Sequence, residues 1–236
     1  MLIDTSFDFR TDTPSGKDPD AHSPTLRRYH KLLWSKPLPN GAHFDLDDRV
    51  RGVYLHHSSE LGEFFLSSDS VIPAFTRWIA MKHITGLFSG EETKAFKTIG
   101  YTIGGMMLFP GNRIDGKWTI NQARGCLGKI ADRFDLTLEC IRRYYLGQCS
   151  PLKDTLARYG NFFQLFENFG GYVDFFLLQG LVTDDRFTRF FIPFDDFKTR
   201  ALPRDGDAYR EYRRLSIEFV EARNRRIESR IIARRV

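Results

Sequence analysis

The sequence predicts an α+β protein, with a small mixed or antiparallel sheet and a helical C-terminal half. Three observations lead there. Short β-rich runs bounded by Gly, Pro, Ser and Asp crowd the first half of the chain. Apolar residues at helical spacing dominate after residue 120. The strands come in groups instead of alternating with helices, which argues against a regular βαβ sheet.

Residues 5–9 read as a short strand and residues 11–23 as a polar loop. Ser23-Pro24 opens a helix to about Trp34, with Ser as N-cap and Pro in the first turn. Pro37, Pro39 and Gly41 end it. Strands are expected at 43–46, 50–57 and 63–68, the last two forming a hairpin through residues 58–62. Ser70 is placed to cap a helix running to about Ile84, and Ser89 and Glu92 form a capping box for another. Residues 97–110 read as one long strand containing Gly104-Gly105, where a bulge, close packing of another element or the approach of a ligand explains two glycines. Residues 111–116 turn into 117–120. Residues 121–181 are helical with breaks near 147–151 and 170–171, residues 187–193 a last strand, and 207–232 a basic helix. No linker divides the chain, so residues 1–236 form one domain, with 224–236 a basic helical tail.

Bulk composition allows a core: 42% of residues are apolar and 28% charged, with 22 Phe among them. The formal charge of +5 permits contact with an acidic partner. Three cysteines, no Cys-x-x-Cys and no leader-like N-terminus suggest reduced thiols in the cytoplasm. The longest apolar run, residues 101–110, is too short to span a bilayer. His56 and His57 point to opposite faces of a strand, and no metal-binding spacing or cofactor loop is present. Arg77 and His83 have the spacing of the HEPN ribonuclease motif, but six helical residues set them about 240° apart.

The sharpest pattern lies at 122–145. On one continuous helix, Leu127, Ile130, Phe134, Leu138 and Ile141 share a face. Arg124, Asp132, Asp135, Glu139, Arg142 and Arg143 share the opposite one. A solvated row of ion pairs is the simpler reading. The functional one is a cleft in which arginines hold phosphate and carboxylates move protons. A second cluster sits at the N-terminal helix: Arg27, Arg28, His30 and Lys36, preceded by Asp18 and Asp20.

Four stretches belong together: Ser23-Pro-Thr-Leu-Arg-Arg-Tyr-His30, Leu33-Trp-Ser-Lys-Pro-Leu-Pro-Asn-Gly41, Phe65-Leu-Ser-Ser-Asp-Ser-Val-Ile72 and Arg133-Phe-Asp-Leu-Thr-Leu-Glu-Cys-Ile-Arg-Arg-Tyr-Tyr145. As a set they resemble a bacterial family of unknown function that covers most of the chain. The resemblance implies a bacterial, cytoplasmic, single-domain protein and transfers no activity.

The expectation is therefore a cytoplasmic protein that binds a nucleotide or nucleic acid. Arg27, Arg28, Lys36, Arg124, Arg142 and Arg143 are its candidate phosphate ligands. The alternative is a metal-independent enzyme on such a substrate, with His30, Asp132, Asp135 and Glu139 as candidate catalytic groups. A third reading is an interaction protein that forms a homo-oligomer through the C-terminal helix.

Overall fold

The computed structural model describes residues 3–48 and 54–233, with side chains to residue 231. The α+β expectation holds, with helix at 46% far ahead of strand at 12%. Among the described residues ten helices follow in chain order: α1 (Pro19–His22), α2 (Pro24–Trp34), α3 (Lys82–Thr85), α4 (Gly90–Gly100), α5 (Ile120–Cys126), α6 (Phe134–Tyr145), α7 (Lys153–Arg158), α8 (Gly160–Gln164), α9 (Phe169–Phe175) and α10 (Gly206–Ala233). The strands are β1 (Lys36–Pro37), β2 (His43–Phe44), β3 (Leu55–Ser59), β4 (Gly62–Ser70) and β5 (Met106–Pro110).

Strands β3, β4 and β5 form an antiparallel sheet with β4 in the middle. Leu66 lies opposite Leu55 on one side and Pro110 on the other. Every residue of β5 is buried, so it reads as a continuous apolar run without alternation. The expected strand at 50–57 is seen from Leu55; residues 49–53 lie outside the described residues. Ser23 caps α2 by accepting from the Leu26 amide, as expected, and the Ser89–Glu92 capping box starts α4.

Several boundaries differ from expectation. The run 97–110 is not one strand: α4 continues to Gly100, a 3-10 turn covers Ile103–Gly105, and β5 begins only at Met106. The Gly pair is a docking point. The Gly104 amide donates to Asn224 Oδ1 at 2.7 Å, and a Cβ there would lie 2.5 Å from the Val220 carbonyl of α10. Ser70 does not cap a helix, because its backbone is committed to β4 opposite Met106. The following residues through Trp78 form an irregular loop with Phe75 at φ 55°, and α3 is a single turn. Residues 5–9 are turns and not a strand. Residues 187–193 give one bridge, Val182 to Thr188, in place of a strand.

The amphipathic segment 122–145 is two helices. Between α5 and α6 the chain reverses through Ala131 (φ 49°) and Asp132 (φ 64°). Two bonds hold the reversal: the Asp132 amide donates to the Arg124 carbonyl at 2.8 Å, and Arg124 Nη2 donates to the Asp132 carbonyl at 2.6 Å. Ile130, Phe134, Leu138 and Ile141 are all fully buried despite the break.

The core is aromatic. Trp34, Phe44, Phe166, Tyr172, Phe175 and Phe176 form one cluster of edge and tilted ring contacts. Helix α10 closes the other side with Tyr212 and Phe219. Its Arg223 is fully buried and donates to the carbonyls of Phe176, Gly104 and Met106. Contact continues past Asn224: Ile227 is fully buried, and Thr5 donates to Glu228. No helix among the described residues is long and apolar enough to cross a membrane.

Candidate functional site

The end of β4 carries Asp69 to the mouth of a cleft of about 400 Å³. Three further acids reach the same cleft. Asp18 and Asp20 come from α1, where the Asp18 side chain caps the helix by accepting from the Asp20 amide. Asp132 comes from the left-handed reversal after α5. Arg10, Arg77 and Lys97 stand among the lining residues, with the rings of Trp78 and Tyr101 between them. The Ala74 carbonyl, accepting from Tyr209 at 2.9 Å, ties the loop that carries Arg77 and Trp78 to α10.

Arg124 organises the carboxylates from below. It is fully buried, and its Nη1 meets Asp69 Oδ2 at 2.5 Å and Asp132 Oδ1 at 2.9 Å. Its Nε donates to Thr137 Oγ1 at 3.2 Å, which fixes the plane of the fork. The two acids keep an open side: the side chains of Asp69 and Asp132 are 23% and 31% exposed. Asp20 accepts from the Ser70 amide at 3.2 Å, and the Asp69 carboxylate lies near enough to act on its charge. Its other oxygen, Oδ1, is shielded from solvent and has no donor.

Arg124 is the cation paired directly with Asp69 and Asp132, and burial works against the charge of the acids around it. Burial, then the Asp69 and Asp18 charges, raise Asp20 well above the usual carboxylate range. Burial pushes Asp69 up to about 7; Arg124 opposes that shift and Asp132 adds to it. Asp132 is also raised by burial, against Arg124 and Arg77. Two adjacent carboxyls in such a site share a proton, since both cannot ionise at low cost. Among the described residues no group of three or more His, Cys, Asp or Glu is placed to hold a metal ion.

Of the candidate site residues, the structure brings Asp132 into this cleft and sets Arg124 beneath it; Asp18 and Asp20, noted beside the N-terminal cluster, also line it. His30 lies elsewhere, on the buried face of α2. Its Nδ1 accepts from Trp34 Nε1 at 3.0 Å, and its Nε2 faces Ser68 Oγ at 2.9 Å. Burial, with Arg223 and Arg27 nearby, drives its pKa down to about 3. Asp135 is buried in a fork with Arg133 at 2.5 Å and accepts from the Phe191 amide. Glu139 binds Arg142 at 2.8 Å, Arg143 at 2.7 Å and the Thr188 hydroxyl at 2.9 Å. Burial would raise Glu139, but the two arginines and Thr188 outweigh it and hold its carboxyl below the usual range. Arg27 donates to the Tyr54 carbonyl at 3.0 Å. Arg28 is exposed over the Tyr29 ring, and Lys36 is buried against the Phe175 carbonyl.

The polar face of 124–143 is thus divided. Its first part lines the cleft, and its second part is an internal ion-pair network joining α6 to the 188–196 segment. Asp20, Asp69, Arg77, Lys97, Trp78 and Tyr101 are the cleft residues that periodicity missed. Asp18 and Asp20 stood out only as acids in a polar loop. Asp69 carried one weak signal, a charged residue ending a strand.

The site is a carboxylate cleft on an α+β scaffold, a combination suited to proton transfer. The chain belongs to a family of unknown function, DUF6994, which it matches over residues 3–227. No curated protein and no solved structure matches it.

Proposed function

We propose that this protein is an acid–base enzyme acting on a phosphate-bearing substrate, a nucleotide or polynucleotide, in the cleft above Arg124. The observation that carries the reading is the convergence of Asp20, Asp69 and Asp132 on one cleft over the buried Arg124, where burial raises the Asp20 and Asp69 carboxyls. A group titrating near the working pH is the efficient donor and acceptor of protons. In this reading Asp69 gives its proton to an oxygen of the bound substrate, and Arg124 stabilises the carboxylate left behind. Arg77 and Lys97 offer cations for a phosphate at the cleft edge, whereas Arg10 is paired with Asp8. Trp78 and Tyr101 offer ring faces for a base or sugar. The three cysteines are free, which suits a reducing cytoplasm.

The reading predicts turnover that falls as pH rises through about 7, because the acid must be protonated. A panel of nucleotides and short RNA or DNA strands, followed by phosphorus NMR and by thermal shift, tests it. Asp69→Asn should abolish turnover while the protein stays folded. An Asp69→Asn variant with wild-type turnover would end the proposal.

A further inference from the structure

A second groove of about 480 Å³ runs between α10 and the segment around Gln179, away from the carboxylates. Ala222, Arg225, Arg226, Ser229 and Arg230 face it from one stripe of the helix, with Leu177 beneath. The other arginines of α10 are committed elsewhere. Arg214 pairs with Glu211 and Glu218, Arg210 with Asp207, and Arg223 is in the core. Among the described residues, no ion pair involves Arg225, Arg226 or Arg230. The carboxylate facing this region is Asp174. It feels Arg230 at longer range but is already held by Arg186 at 3.1 Å and Gln179 at 2.9 Å.

From this we propose that the Arg225–Arg226–Arg230 groove binds the phosphate backbone of a nucleic-acid strand without reading its bases. Arg226 Nη1 is shielded from solvent and has no acceptor, as is Gln179 Oε1 for a donor. The groups open to a phosphate are therefore the exposed Arg225 and Arg230. Burial and the neighbouring Arg225 charge lower the Arg226 pKa, the response of a cation lacking an anion. Arg225 to Arg230 spans about 7.5 Å of helix axis, enough to meet more than one phosphate. The groove is shallow, and its charges run along the helix axis as the phosphates of a strand do. The sequence continues with Arg234 and Arg235, which adds charge of the same sign. This inference does not rest on the acid–base reading of the other cleft.

Fluorescence anisotropy with a labelled poly-dT strand, titrated with the full chain at several salt concentrations, decides it. Arg225→Gln/Arg226→Gln/Arg230→Gln should weaken binding at least tenfold and make the salt slope shallower by about 2, near 0.7 per lost phosphate contact. Arg210→Gln/Arg214→Gln, which removes two charges outside the groove, should change affinity less than threefold. Circular dichroism checks folding, and the single exposed-site variants Arg225→Gln and Arg230→Gln give the same readout if the triple variant is unstable. The proposal is overturned by equal losses in both sets, by wild-type binding in the groove variant, or by binding to anionic vesicles or inorganic phosphate but not to the strand.

Discussion

Burial shifts Asp69 and His30 to opposite effect, because it always disfavours the charged form. Asp69 rises to about 7. Its contribution to stability is complete below the ordinary carboxylate value and is lost as pH rises through about 7. Asp69→Asn should therefore raise the melting temperature more at pH 8 than at pH 4; a gain independent of pH would contradict the assignment. His30 falls to about 3. The unfolded chain binds its proton first, so stability declines as pH drops from about 6.5 toward 3. His30→Asn, which keeps one donor and one acceptor, should flatten that acid limb in pH-dependent melts. The same pair of residues carries opposite lessons for site prediction. His30 looked like an acid–base group because of its type, while Asp69 looked ordinary because nothing in sequence reports its distance from Asp20 and Asp132.

At the scale of elements, the break between α5 and α6 positions the site. A continuous helix would point Asp132 along the polar stripe; the left-handed pair at 131 and 132 turns it back over Arg124. The other decisive junction is Gly104 under α10. Gly104→Ala places a Cβ against the Val220 carbonyl and Asn224, and a loss of about 1–3 kcal/mol is expected in chemical denaturation. Helix starts were legible where a side chain closes its own turn, as at Ser23 and the Ser89–Glu92 box. The apolar face of 127–141 was legible because burial follows periodicity. The path of 70–85 and 97–110 was not, because those segments are set by partners far along the chain. Ser70 is held by Met106 and Asp20, and Gly104 by Asn224. Hydrophobic alternation carries no record of either.

Across the whole molecule, α10 is the closing element. Arg223 is lowered to about 9 by burial, yet it stays charged at neutral pH and satisfies three carbonyls. Arg223→Met should cost about 2–4 kcal/mol by stranding them, read as a lower denaturation midpoint. Truncation after Asn224 removes the buried Ile227 and should also lower the melting temperature. Mass in solution before and after that truncation measures whether the same helix serves assembly.

Arg223 also sets a timetable. Its acceptor at Gly104 lies 119 residues earlier in the chain. At a synthesis rate of about 5–20 residues per second, the covering arginine follows roughly 6–24 s later. During that interval the apolar strand at Met106–Pro110 exists without the helix that covers its leading end. A nascent chain halted in that window would present a sticky, unfinished surface, and this is the stage at which a chaperone would be needed most.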